Sequence, residues 1–271
     1  MQQTVHIIGS PGIFIDHRTP DHKFSKPVVL VHGAFGAYLV MDKVAEELAE
    51  RGFECYTPSL RGHKPSEPID LTTVRLCDYV TDIETVVSEL ELHNPVLIGH
   101  SMGGLIAFLY ASTHNVAAVV GLDPVPPSEF WQPKIDAEEV SKLPSVLLES
   151  HLKRPGEGYA EAIDALEDIR GDDLVQILEF RDYPESKKAL MDIVNGVSVR
   201  VDILKEIPML LFGVEHDHAT HFSIPRDKIR KMAEYCGADF REVKDTTHPG
   251  IVLGRHAYEV ADIIADWLRG L

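Results

Sequence analysis

Apolar positions in this chain come in short continuous runs separated by longer amphipathic stretches. "KPVVLVHG" (26–33), "FECYTPSLRGH" (53–63), "NPVLIGHS" (94–101) and "VAAVVGLDP" (116–124) each hold a run too brief for a helix and apolar on both faces, as strands buried in a sheet covered on both sides require. Between them lie helical patterns. "VMDKVAEELAERG" (40–52) ends at Gly52; Leu76, Val80, Ile83, Val87 and Leu90 form one stripe; "MGGLIAFLYAS" (102–112) is apolar throughout. After residue 208 the alternation resumes with strand "PMLLFGVEHD" (208–217), helix "PRDKIRKMAEYCG" (225–237) and strand "ADFREVKD" (238–245). A closing helix follows, with Val260, Ile263, Ile264, Trp267 and Leu268 on one face. Strands alternating with helices predict βαβ units and a mostly parallel sheet flanked by helices.

The rhythm fails between these halves. "PVPPSEFWQP" (124–133) is proline-rich, and amphipathic helical sequence follows at 141–154, 159–171, 172–181 and 186–196. This predicts an α/β core of residues 1–127 and 206–271 with an inserted helical cap, or lid, at 128–205.

The strand ending "VLIGHSMGGL" (96–105) raises the first chemical question, since a buried strand has no need of a serine between glycines. Gly99-His100-Ser101-Met102-Gly103 lies between a predicted strand and a predicted helix, the context of a nucleophile elbow. The tight turn lifts the hydroxyl above the sheet, and the helix N-terminus aims free N–H groups at the reacting centre. The competing reading is a strand–turn–helix junction with Ser101 as a cap. The partners argue against it. A serine nucleophile needs an oxyanion site and a base. "VHGAFG" (31–36) follows the first core strand, so the N–H of Ala34 can pair with that of Met102, and Phe35 then walls the acyl pocket.

This topology expects the base after the last strand and the acid after an earlier one, in the chain order serine, acid, histidine. "VKDTTHPGIVLG" (243–254) supplies His248, and Asp217 follows "LLFG". Asp123, closing the strand "VGLDP", satisfies the same order and is the alternative acid, with Glu215 nearby. His216, His218 and His221 crowd one loop but match no zinc spacing, so no metal is expected. His63 and His100 either border the site or merely sit on loops.

Together "HGAFG" and "GHSMGG" resemble the α/β-hydrolase superfamily, in its branch of small capped serine esterases and lipases. The resemblance runs over the whole chain apart from the insert. It implies the α/β-hydrolase fold, Ser101 as nucleophile, Asp217 as acid, His248 as base, and Ala34 and Met102 as oxyanion donors. Many relatives place the acid one position earlier, where this chain has His216. The implied activity is hydrolysis of carboxylic esters through an acyl-enzyme, without a cofactor. Thioester, lactone or C–C bond hydrolysis, perhydrolysis, and a receptor with a vestigial triad share the same residues. Trp131 is the insert's candidate pocket residue, among apolar neighbours that include Phe130, Leu147, Leu148, Leu178, Phe180 and Met191, and the expected partner is a small ester with an apolar acyl group.

Composition narrows the classes further. The 271 residues are 44% hydrophobic and 25% charged, an ordinary globular balance. A net charge of −17, from 26 basic and 43 acidic residues, argues against nucleic acid and anionic lipid surfaces. No apolar run reaches membrane-spanning length. The N-terminal stretch lacks the basic start and apolar core of a secretory signal. Three scattered cysteines, Cys55, Cys77 and Cys236, fit a reducing, cytoplasmic setting better than a disulfide framework.

Overall fold

A computed structural model describes residues 1–24, 26–133, 142–148, 183–216 and 224–271. Its centre is an eight-stranded sheet. The strands are β1 (Gln2–Ile8), β2 (Ile13–Thr19), β3 (Val28–Val31), β4 (Cys55–Pro58), β5 (Val96–His100), β6 (Ala118–Leu122), β9 (Met209–His216) and β10 (Asp239–Thr247). They lie in the order β1-β2-β4-β3-β5-β6-β9-β10. From β4 to β10 every pairing is parallel, as the βαβ rhythm predicts.

The continuous apolar runs follow from burial on both faces. Leu97 of β5 joins one core layer with Ile83 and Phe108, while its neighbour Ile98 joins the opposite layer with Val44, Leu48, Val260 and Ile264. The first layer is covered by α2 (Leu76–Glu89), α3 (Met102–Ala111) and α6 (Arg226–Cys236). The second is covered by α1 (Asp42–Glu50), the single turn α7 (Gly250–Leu253) and α8 (His256–Arg269). α6 stops at Gly237, whose φ of 70° supplies the left-handed residue that ends a helix. Among the described residues no helix is long and apolar enough to cross a membrane.

Two findings depart from the sequence pattern. β1 and β2 form an antiparallel hairpin at the sheet edge, with Val5 and Ile7 of β1 exposed. Its mixed polar and apolar residues carry no two-faced burial signal. Within the expected helix 141–154, Val146–Leu147 instead forms a short strand, β7, antiparallel to β8 (Glu185–Ser186). Pro144 in "SKLPS" accounts for this, since a proline disfavours helical backbone at the preceding residue. The expected helix 186–196 is found as α4 (Lys187–Asn195), with Ser186 capping its N-terminus through Ala189 N–H, and a single turn, α5 (Val201–Leu204), follows. The expected helices at 159–171 and 172–181, with Leu178 and Phe180, lie outside the described residues. The whole interval from Asp123 to Pro208 connects two adjacent parallel strands, β6 and β9.

Candidate active site

Three loops at the carboxyl edge of the sheet meet around the turn that holds Ser101: one approaches the serine itself and one its neighbours His100 and Asp123. The first is the elbow itself. Ser101 has φ 54° and ψ −120°, a backbone region that costs a non-glycine residue about 1–3 kcal/mol. Ser101 stands at the N-cap position of α3, yet its side chain makes no capping hydrogen bond to the helix. The turn is held by backbone, with Ser101 N–H donating to Leu122 O (3.2 Å) and Ser101 O accepting from Val125 N–H (3.0 Å). The flanking glycines are required by close approach. A Cβ on Gly99 would sit 2.2 Å from Gly103 O, and one on Gly103 would sit 2.2 Å from Val31 O. Gly103→Ala is therefore expected to destabilise the protein by about 1–3 kcal/mol, because backbone cannot yield as a side chain does. Urea unfolding checks this, and an unchanged midpoint would mean that α3 does not approach β3 so closely.

The second loop follows β3. Buried His32 donates from Nδ1 to Gly33 O (2.7 Å) and accepts Leu60 N–H at Nε2 (3.0 Å), so both ring nitrogens are committed and the tautomer is defined. Burial, aided by nearby His63, lowers its pKa to about 3, so the ring is neutral. This tethers the turn that carries Ala34. A Cβ on Gly33 would come within 2.9 Å of Ser101 Cβ, so the turn lies directly against the serine. Phe35 takes φ 58°, and Ala34 and Phe35 are partly buried against the core layer that contains Met102. Met102 opens α3, where a backbone N–H has no partner within the helix.

The third loop brings the histidine. His248 Nδ1 lies 2.5 Å from Asp123 Oδ2, with Asp123 fully buried and the His248 side chain 22% exposed. Asp123 Oδ1 accepts Val214 N–H (3.3 Å), and its own N–H donates to Phe212 O (3.0 Å). The residue has φ 44°, which aspartate tolerates better than most side chains. Thus the carboxylate set against His248 is Asp123, at the end of β6, the alternative in the sequence reading. Asp217, to which that reading gave precedence, lies outside the described residues, as do His218 and His221.

His100 is no bystander. Its Nε2 donates to the backbone oxygen of His248 (2.9 Å), and the two rings are 4.6 Å apart between centroids. A carbonyl only accepts, so His100 carries its proton on Nε2. Burial, then proximity to His248, holds its pKa well below the usual histidine range. The residue before the serine thus supports the loop of the histidine, a role that spacing in sequence could not indicate.

The insert's candidate residues divide. Trp131 and Phe130 are partly buried against the core, Phe130 edge-on to Tyr235, while Leu147 is fully buried in it. Among the described residues no group of three or more histidine, cysteine or acidic side chains could hold a metal ion.

Comparison with known proteins bears on the fold that carries these loops. A family model described as the alpha/beta hydrolase fold matches residues 26–141, which include the turn after β3, the elbow and Asp123. The chain has the α/β-hydrolase fold. Among curated proteins it is 22% identical to a pyrethroid hydrolase from Sphingobium wenxiniae over 261 residues, covering 82% of this chain and 92% of the other. Among solved structures, a bromoperoxidase from Bacillus anthracis superposes with a TM-score of 0.71 at 21% identity, covering 99% of this chain and 100% of the other. A carboxylesterase from Bacillus subtilis gives 0.70 at 18% identity, covering 100% and 93%. At these identities the solved structures speak for the α/β-hydrolase fold and not for a substrate.

Proposed function

We propose that the protein is a serine hydrolase that cleaves carboxylic esters through an acyl-enzyme, with Ser101 as nucleophile, His248 as base and Asp123 as acid. The observation that carries this reading is the 2.5 Å contact of His248 Nδ1 with buried Asp123, beside an elbow serine whose side chain caps nothing. With Nδ1 donating to the carboxylate, Nε2 keeps its lone pair for the proton of Ser101 as the hydroxyl attacks an ester carbonyl. Asp123 then stabilises the imidazolium that forms. The N–H groups of Ala34 and Met102 receive the oxyanion, each worth roughly 3 kcal/mol in the transition state. His248 returns the proton to the leaving alcohol, then activates the water that releases the acid. The chemistry needs no cofactor.

Residues 128–205 act in this reading as the cap, and Phe35 and Trp131 favour a small ester with an apolar acyl group. The names of the relatives, a pyrethroid hydrolase and a carboxylesterase among them, are consistent with ester cleavage. The test is covalent labelling with a fluorophosphonate, followed by peptide mass spectrometry, alongside turnover of p-nitrophenyl esters from acetate to decanoate. We expect one stoichiometric adduct on Ser101 and turnover greatest with the shorter chains. An unlabelled Ser101 in protein that turns esters over would overturn the assignment.

A further inference from the structure

A second polar cluster lies behind the turn that carries Ala34, and it joins the insert to the core. Glu185, in β8 of the insert, is completely buried, as is His63 in the loop after β4. Glu185 Oε1 accepts from Tyr79 Oη (2.5 Å) and from Ser186 N–H (2.7 Å). Glu185 Oε2 lies 3.3 Å from His63 Nε2, an ion-pair distance, and both atoms are buried with no hydrogen-bond partner among the described residues. The His63 ring stands edge-on to that of His32, with centroids 5.2 Å apart. His32 in turn donates to Gly33 O.

The proton count in this cluster follows from geometry. His63 Nδ1 faces Arg61 O at 3.1 Å, and a carbonyl can only accept, so Nδ1 carries a proton. If His63 were neutral, the lone pair on Nε2 would face a carboxylate oxygen in a site without solvent. A proton on Nε2 turns that repulsion into an ion pair between His63 and Glu185. The other charged and titratable groups facing His63 are Tyr79 and Asp82 from α2, Arg61 from its own loop and neutral His32 from the turn after β3. Arg61 is already engaged by Asp82, through its backbone N–H (2.8 Å) and Nε (2.7 Å). Burial opposes the charge on His63, but Glu185 and the bond to Arg61 O outweigh it, and the pKa is raised.

We propose that Glu185 is a positioning residue of the active site. From the insert it clamps His63, and through the His63–His32 ring pair it holds the Gly33–Ala34 turn in the geometry that receives the oxyanion, while His63 carries the proton that pairs it with Glu185. This rests on the serine-hydrolase reading above. The sign follows from the raised His63 value: the clamp is complete below the ordinary histidine range, near pH 6.5, and is lost as pH rises through the folded value above it.

The test is the pH dependence of kcat and KM for p-nitrophenyl butyrate in the wild type, Glu185→Ala and Glu185→Gln, with thermal unfolding of each. Glu185→Ala removes the clamp and is expected to lower kcat about 10- to 100-fold with KM within about threefold, because misplacing a catalytic group costs rate more than binding. Glu185→Gln keeps every contact without the proton on Nε2: its oxygen accepts from Tyr79 and Ser186, and its amide donates to neutral His63. It should retain kcat near neutral pH and lack the alkaline fall seen in the wild type. A folded Glu185→Ala protein with wild-type kcat overturns the proposal, as does a Glu185→Gln protein that keeps the alkaline fall. Should Glu185→Ala fail to fold, the comparison of Glu185→Gln with wild type decides alone. Retained turnover in Ser101→Ala would overturn the triad reading itself, whereas its loss alongside unaffected Glu185 variants would overturn only this inference.

Discussion

Ser101→Ala is expected to abolish ester turnover, with kcat falling by about 10⁴–10⁶, while the protein stays folded. The size follows from how a triad works: without the hydroxyl no acyl-enzyme forms, and what remains is binding plus the oxyanion donors. Stability should be unchanged or slightly raised. Alanine fits the space of the serine, the serine side chain caps nothing in α3, and the backbone bonds that hold the elbow, to Leu122 O and from Val125 N–H, do not involve the hydroxyl. Strained functional positions commonly gain stability when their function is removed. Steady-state kinetics with p-nitrophenyl butyrate and a melting curve check both halves. Turnover within tenfold of the parent would remove Ser101 from the mechanism.

Asp123→Asn should be the next most severe, lowering kcat by about 10⁴. The substitution keeps the shape, but an amide facing His248 Nδ1 favours the tautomer whose proton sits on Nε2, where the lone pair is needed. The position is also buried and bonded to Val214 N–H, so an asparagine that turns its oxygen toward the histidine aims its NH₂ at a donor. Some loss of stability should therefore accompany the loss of rate. Asp217→Asn is the control and should stay within about threefold of the parent in kcat. A severe loss at Asp217 with a mild one at Asp123 would return the acid to the loop after β9. Measuring kcat/KM on both variants at one pH separates the two outcomes.

The Ser101 elbow was legible in the chain because its determinants are local. Gly99 and Gly103 mark a turn too tight for side chains, and a two-sided apolar run before Ser101 with a helical run after it specify strand and helix by short-range sterics and burial. The parallel core, the helices of both faces and the break in rhythm after Pro124 were readable for the same reason. The hairpin of β1 and β2 was not, since an edge strand with one solvated face leaves a weak pattern, nor was the pairing of Val146–Leu147 with Glu185–Ser186, which joins segments 39 residues apart. The acid shows the limit most clearly. Asp123 and Asp217 both follow predicted strands and both lie between Ser101 and His248, so order along the chain cannot choose between them. The choice depends on which carboxylate meets His248, a contact across 125 residues set by how β6, β9 and the loop after β10 stack in space. The bond from His100 to the His248 backbone and the seat of Glu185 against His63 are of the same kind. Sequence determined which residue types stand at the ends of strands, because backbone geometry and burial act over a few residues. Only the tertiary structure decided which of them touch, because hydrogen bonds act over about 3 Å and distance along the chain says nothing of that.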